Sequence, residues 1–506
     1  MGVGAVIDAI IHALPHVFAP ANLLAITIGS VAGLVVGALP GLTVTTGIAI
    51  LIPLTFGLDP LFALGMMAGM YNAGSYGGAI PAILMRVPGT PASVATILDG
   101  YEMTKRGEAA YALQVAVVSG VIGSVLSAIA LILFAPPLVK VSLLFGPAEY
   151  FWLAMLGLAT ISALLGDDLV KGIAASAIGL LIGTVGQDLT SGTERFTFGS
   201  LELMDGFSIV VLLTGLFALP PVFQMAEEAI KEGMSASLLR FKKQRSVMRE
   251  WRYFLPVWLR SSAIGIFIGV MPGAAGSMSS FLAYNEAKRV AHSPETFGQG
   301  NPEGVAASEA GNGADNAAAL IPALSLGIPG SGVAAVILGG LLVHGLRPGP
   351  QLFRDHPDIV YGFMLQMLLS AFLLFAVGGL AATRIFGQVL RLPRIVLAPL
   401  IVLFVAIGVY AVNNAMFDLY VLMGVGVVAY VLEKLDYPQA PVVLGLILGP
   451  MAESQLRLSL TISQGDPSAL VASWVSIILA LLTAIVLVTP LYRSWREKRQ
   501  RKPAAA

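Results

Sequence analysis

An apolar stretch broken by Pro-Gly occurs twice in this chain, and that duplication limits the folds open to it. The first copy runs Gly78-Ala-Ile-Pro-Ala-Ile-Leu-Met-Arg-Val-Pro-Gly-Thr-Pro91 and the second Ala319-Leu-Ile-Pro-Ala-Leu-Ser-Leu-Gly-Ile-Pro-Gly-Ser-Gly332. At one constant offset Ile80, Pro81 and Ala82 fall on Ile321, Pro322 and Ala323, while Pro88, Gly89 and Thr90 fall on Pro329, Gly330 and Ser331. Upstream of each copy lies a second matched pair, Gly37-Ala-Leu-Pro-Gly-Leu42 and Gly269-Val-Met-Pro-Gly-Ala274. Interrupted apolar segments at corresponding places in two halves point to a solute site built from broken membrane helices.

Composition decides the solvent. Of the 506 residues, 57% are hydrophobic and 11% charged, against about 25% charged in soluble domains. Apolar runs recur along the whole chain, each long enough to cross roughly 30 Å of hydrocarbon. The fold class is therefore an all-α polytopic membrane protein, with about 10–13 transmembrane segments in two inverted repeats that carry broken helices or re-entrant hairpins. There is no cysteine, which excludes disulfides and thiolate metal sites. The formal net charge of zero gives no reason to expect nucleic acid. The N-terminus lacks the charged start of a signal peptide, so the first span is expected to direct insertion.

In order, residues 1–17 read as an interfacial segment, 18–226 as the first membrane repeat and 227–254 as a basic linker. Residues 255–457 read as the second repeat, and 458–506 as a final span with a basic tail. Asp99 to Glu108 reads as a polar loop, and Asn285 to Asn316 as a long polar stretch before the second Ile-Pro-Ala segment. The linker carries Lys231, Arg240, Lys242, Lys243, Arg245, Arg249 and Arg252, and the tail Arg493–Lys502 holds six basic residues. Both are expected in the cytoplasm. With both anchors on one side, the two repeats cross in opposite senses, the arrangement that supports alternating access.

A Pro-Gly pair inside an apolar run leaves backbone N–H and C=O groups without helical partners. In hydrocarbon each costs several kcal/mol unless protein, water or a solute satisfies it. A packing kink is the plainer reading of one such pair. Four pairs, duplicated in register and flanked by small hydroxyl residues, favour coordination of a solute or ion. The expected substrate- and ion-binding set is Pro40, Gly41, Thr43, Thr45, Asn72, Tyr76, Gly89 and Thr90, then Pro272, Gly273, Ser277, Asn312, Asn316, Gly330 and Ser331. Ser75, Ser93, Ser279 and Ser325 flank the same breaks. Neutral donors and helix N-termini can hold an anion without lysine or arginine. Arg86 either pairs with a substrate carboxylate or snorkels to an interface. Among the acids, Asp167, Asp168 and Asp418 read as interfacial, while Glu309 and Asp315 approach the second motif and are better placed for proton coupling. There is no phosphate-binding loop, the five histidines lack metal-ligand spacing, and no nucleophile–base set is apparent, so the chain is not read as an enzyme.

The ordered motifs resemble the large membrane subunit of the tripartite tricarboxylate transporter family (TctA-like). The first half carries Gly37-Ala-Leu-Pro-Gly-Leu-Thr43, Tyr76-Gly-Gly-Ala-Ile-Pro-Ala-Ile-Leu84, Pro88-Gly-Thr-Pro-Ala-Ser93 and Leu98-Asp-Gly-Tyr101. The second carries Pro302-Glu-Gly-Val-Ala-Ala307, Leu326-Gly-Ile-Pro-Gly-Ser331 and His344-Gly-Leu-Arg-Pro-Gly-Pro350. One departure stands out: where the family shows paired asparagines, Asn312 is followed by Gly313, with Asp315-Asn316 beyond. The resemblance implies a secondary transporter that imports a carboxylate (tricarboxylate, dicarboxylate or aromatic acid) across the bacterial inner membrane. It implies Na⁺ or H⁺ as coupling ion with no other cofactor, and as partners a small TctB-like membrane subunit and a periplasmic TctC-like solute-binding protein. The division between interrupted segments, 33–93 and 265–331, and ordinary spans, 148–225 and 396–452, suggests elevator-like movement of the former. The competing classes are an integral-membrane enzyme and a passive channel.

Overall fold

The computed structural model describes residues 3–39, 42–142, 145–164, 169–188, 193–231, 247–271, 276–389 and 394–500. Pro40, Gly41, Asp167, Asp168, Pro272, Gly273 and most of the basic linker lie outside the described residues. The first half consists of α1 (Val3–Val17), α2 (Pro20–Ala38), α3 (Val44–Thr55), α4 (Pro60–Gly77), α5 (Ala79–Met85), α6 (Val94–Lys105), α7 (Ala109–Ser142), α8 (Pro147–Leu164), α9 (Leu169–Gly183) and α10 (Ile209–Lys231). A small antiparallel ribbon of β1 (Gly186–Gln187) and β2 (Glu194–Arg195) joins the last two, with Gly186 opposite Arg195. The second half consists of α11 (Trp251–Val270), α12 (Gly276–Val290), α13 (Pro302–Ala318), α14 (Leu320–Leu326), α15 (Gly332–Val343), α16 (Pro350–Asp355), α17 (Pro357–Val389), α18 (Arg394–Asn413), α19 (Met416–Lys434), α20 (Gln439–Ile462) and α21 (Trp474–Gln500). Among the described residues, five helices are long and apolar enough to cross a membrane. The chain is an all-α polytopic membrane protein.

The repeat is visible element by element. Helices α2 to α5 recur as α11 to α14, and α5 and α14 are each seven residues long. Small residues set the first crossing. On α2, Gly29, Gly33 and Gly37 face the backbones of Met66, Met70 and Gly74 on α4, where an added Cβ would strike backbone atoms. On α11, Gly265 and Gly269 do the same against Gly311 and Asp315 of α13. Glycines at four-residue spacing let two membrane helices approach backbone to backbone.

The repeats also exchange partners. Central helix α13 is crossed by α7 of the first repeat: Ser124 Oγ donates to Gly313 O (3.3 Å) and Ala318 N donates to Ser127 Oγ (3.0 Å). Central helix α4 is crossed by α17 of the second. There Gln366 Nε2 donates to Leu61 O (2.9 Å), and Asn72 Nδ2 donates to Met367 O (3.0 Å) and Ser370 Oγ (2.7 Å). Each repeat therefore completes the other.

Two polar stretches differ from their sequence reading. Residues 99–105 are helical, within α6, and 302–318 form the buried helix α13. Asp99 explains why α6 tolerates its polarity. Its Oδ1 accepts from the amides of Gly298, Gly300 and Asn301, each at 2.8 Å, and its Oδ2 accepts from Tyr284 Oη at 2.9 Å. A buried carboxyl group whose oxygens accept from four donors has its hydrogen bonding satisfied.

The helices form two compact units, 1–140 with 210–430, and 141–209 with 431–506. The first contains every motif segment. It also takes in α10 and α18, which the sequence reading grouped with the uninterrupted spans. The reason is local: Thr46 Oγ1 donates to Phe217 O (3.0 Å), Thr214 Oγ1 donates to Ala49 O (3.3 Å), and α18 lies against α3. The second unit is held by α8, α9, α20 and α21. Gly179 meets the Val442 carbonyl, Gly445 meets the Ser176 carbonyl, and Trp152 Nε1 donates to Leu470 O (2.8 Å). Arg195 bridges Glu453 and Asp188, which hold its guanidinium above its usual range, and Arg457 reaches the same two acids.

Candidate functional site

Each Ile-Pro-Ala helix folds back on its own start. After α5, Val87 N donates to Pro81 O (3.4 Å) and Gly89 N to Gly78 O (3.2 Å). After α14, Ile328 N donates to Pro322 O (3.3 Å) and Gly330 N to Ala319 O (3.1 Å). The reversal needs a left-handed residue, and the repeats supply it differently: Gly327 with φ 76° and Arg86 with φ 60°. A non-glycine there bears strain. The Arg86 side chain is exposed and stands 5.9 Å from the Tyr101 ring, so it points outward and not into the core.

The two hairpins then meet the upstream breaks. Gly89 lies against the carbonyl of Gly37, and Gly330 against the carbonyl of Gly269. Both contacts are backbone to backbone, and only glycine fits them. Across the repeats, Ala92 lies beside Gly276 at the start of α12, and α15 lies against α3. Four helices begin where these segments converge. Thr43 caps α3 by accepting from Thr46 N (3.2 Å), and Ser331 caps α15 by accepting from Ala334 N (3.2 Å). Before α6, Ser93 Oγ accepts from Thr90 N (3.2 Å) and donates to Thr90 O (2.8 Å). At the start of α12, Ser279 and Ser280 donate to Gly276 O at 2.8 and 3.0 Å.

At the centre α4 touches α13. Ser75 Oγ donates to Asn316 Oδ1 (3.0 Å), and these residues are 241 apart, which is the repeat offset. Each is therefore the other's counterpart, and the internal symmetry passes between them. Asn316 Nδ2 donates to Asn72 Oδ1 (3.0 Å), and Asn312 Nδ2 donates to Ser75 O (3.4 Å). The structure thus joins Asn72 to Asn316 directly and Asn312 to them through Ser75, with Gly89, Thr90, Gly330 and Ser331 on the adjoining hairpins. Thr45 and Ser277 sit half-buried in the first turns of α3 and α12. Tyr76 is buried in an apolar cluster, with its hydroxyl lacking a partner among the described residues. Ser325 bonds its own helix at Ile321 O (2.5 Å) and is a packing residue.

Tyr71, Thr96 and Ser308 were not singled out by sequence, yet Tyr71 and Thr96 contact residues that were. Tyr71 Oη shares a hydrogen bond with Ser331 Oγ (3.3 Å). Thr96 donates to Glu309 Oε1 and shares a bond with Ser308 (3.0 Å), while Glu309 Oε2 has no partner among the described residues. Asp418, read as interfacial, is buried in the first turn of α19 and accepts from Asn413 Nδ2 (2.8 Å). Among the described residues no lysine or arginine is buried. An anion here would be held by amides, hydroxyls and helix N-termini, with the buried acids Glu309 and Asp315 close by.

Residues 23–444 match the model of the tripartite tricarboxylate transporter TctA family. The chain belongs to that family. It is also 35% identical, over 95% of both chains, to an uncharacterised 52.8 kDa protein in the TAR-I ttuC' 3' region of Agrobacterium vitis. A second protein of that organism, in the TAR-II ttuC' 3' region, is 35% identical over 46% of this chain and 97% of its own length. No solved structure matches the chain. The TctA family is one of transporters, and the chain is a component of a tripartite tricarboxylate transport system within the membrane.

Proposed function

We propose that this TctA-family protein imports a carboxylate of the tricarboxylate class across the bacterial inner membrane, driven by Na⁺ or H⁺. A small membrane subunit and a periplasmic solute-binding protein complete the system. The observation that carries the reading is the convergence of four helix N-termini and the Asn72–Asn316–Ser75 network on segments broken by Pro-Gly. Oriented N–H groups favour a carboxylate without a fixed positive charge. Neutralisation by a cation lowers the cost of moving the anion through hydrocarbon, which is several kcal/mol or more for a bare charge. The exchanged packing of the two repeats and the division into two compact units support inverted-repeat alternating access, with the unit bearing the motifs as the moving element. The basic linker and tail place both segments in the cytoplasm in this reading.

The test is uptake of labelled citrate into proteoliposomes containing the complete tripartite system, with Na⁺ and H⁺ gradients imposed one at a time. Accumulation that requires one inward gradient is expected. Equilibration without a gradient would indicate a channel, and chemical conversion of the acid an enzyme.

A further inference from the structure

Equivalent positions in the two repeats have exchanged volume at one place. In the first repeat Gly74 on α4 faces Val44 at the start of α3, and an added Cβ on Gly74 would come 3.0 Å from Val44 Cγ2. In the second repeat the counterpart of Gly74 is Asp315, and the counterpart of Val44 is Gly276. An added Cβ on Gly276 would come 3.3 Å from Asp315 Oδ2 and 3.4 Å from Asn312 Oδ1. On the other side, an added Cβ on Gly269 would come 3.1 Å from Asp315 Oδ1. A carboxylate therefore fills the space that a methyl group fills in the first half. It sits between Gly269 and Gly276, the glycines that flank Pro272-Gly273 in sequence.

Packing does not account for it. Asp315 is 3% exposed, and its Oδ1 has no hydrogen-bond partner among the described residues. An ionised carboxylate in that state is unfavourable, and the first repeat shows that the same backbone packs well with an apolar side chain. Asp99, by contrast, is buried with four donors. The α12 N-terminus can favour Oδ2, but Oδ1 faces Gly269 in the last turn of α11, where helix carbonyls make the surroundings negative. No buried lysine or arginine among the described residues balances the charge. The titratable groups nearby are Tyr71 on α4, within electrostatic reach, and Glu309, which on its own helix meets Thr96 and the side chain of Asn312. Asn312 lies one helical turn before Asp315. Its Nδ2 is engaged by Ser75 O (3.4 Å), leaving Oδ1 beside Gly276 and the carboxylate.

We propose that Asp315, with Asn312 Oδ1, binds the monovalent coupling cation, Na⁺ or H⁺, at a site present in the second repeat only. The proposal rests on the transporter reading and adds where the driving ion sits. Repeat symmetry alone would give two equivalent sites, whereas the Gly74–Val44 contact closes the first.

Two variants of the full chain test it: Asp315→Asn, and the double variant Gly276→Val with Asp315→Gly, which copies the packing of the first repeat. Thermal unfolding of purified protein is measured in NaCl and in choline chloride of equal ionic strength, and gradient-driven citrate uptake is measured in parallel. With Na⁺ as the ion, the wild type melts higher in NaCl. Both variants melt cooperatively in choline chloride, and either needs more than about tenfold more Na⁺ for the same shift. With H⁺ as the ion, NaCl has no effect on melting. Wild-type uptake then follows the proton gradient, and citrate exchange in the variants loses that dependence. Variants that keep the wild-type response to whichever cation drives uptake overturn the site and leave the transporter reading standing. A wild type that transports no carboxylate, yet shows an NaCl shift lost in both variants, upholds the cation site and overturns the transporter reading.

Discussion

The crossing of α2 with α4 and that of α11 with α13 share two glycine contacts, Gly33 with Gly265 and Gly37 with Gly269, whereas the side chains at the junction of α4 and α13 differ at almost every position. Gly37 and Gly269 each receive a hairpin glycine on their carbonyl. Yet Tyr71, Asn72, Gly74 and Tyr76 correspond to Asn312, Gly313, Asp315 and Ala317. Where glycine backbones meet at Gly33/Gly265 and Gly37/Gly269 both copies keep the glycine, whereas Gly29, against Met66, is replaced by Ser261 on α11. Side chains facing a polar interior tolerate divergence as long as volume and hydrogen bonding are balanced across the junction. The fold is therefore duplicated and the chemistry is not.

The largest expected effect tests the shared part. Gly89→Val and Gly330→Val should each reduce uptake to background while the protein still inserts in the membrane, because the added atoms meet the Gly37 and Gly269 carbonyls and the hairpin's own backbone. Uptake by one variant above half that of the wild type would break the equivalence of the hairpins.

A smaller effect sharpens the unshared part. Asp99 corresponds to Gly340, so the clamp on the segment before α13 exists once. Asp99→Asn removes the charge that three amides and Tyr284 address. It should cost on the order of 3 kcal/mol, seen as a lower melting temperature of the purified protein. An unchanged melting temperature would mean that the clamp contributes nothing.

The duplicated breaks and the order of spans were legible in the sequence because Pro-Gly pairs and apolar runs act locally. Residues 99–105 were misread as loop, and the burial of 302–316 went unseen, because hydropathy registers polarity without its partners. Asp99 is stable in α6 only through Gly298, Gly300, Asn301 and Tyr284, nearly 200 positions away. The Tyr71–Ser331 and Thr96–Glu309 contacts join opposite repeats, and no spacing announces them. The grouping of α10 with the motif helices depends on Thr46 and Thr214 reaching carbonyls on a distant helix. The swap of Gly74–Val44 for Gly276–Asp315 can be aligned from sequence, but its meaning requires knowing that the two positions touch.

The central claim is that the starts of α3 and α12, one from each repeat, border a single carboxylate site. The protein contains no cysteine, so Thr45→Cys, Ser277→Cys and Ser468→Cys each present one thiol. Thr45 and Ser277 occupy equivalent half-buried positions, and Ser468 is exposed in a short 3-10 helix (Pro467–Val471) of the other unit. Labelling by a membrane-permeant maleimide in proteoliposomes should slow at both Thr45→Cys and Ser277→Cys when citrate and the coupling cation are present together, and stay constant at Ser468→Cys. Labelling rates at positions 45 and 277 that ignore citrate, or protection at one of the two alone, would contradict a shared site.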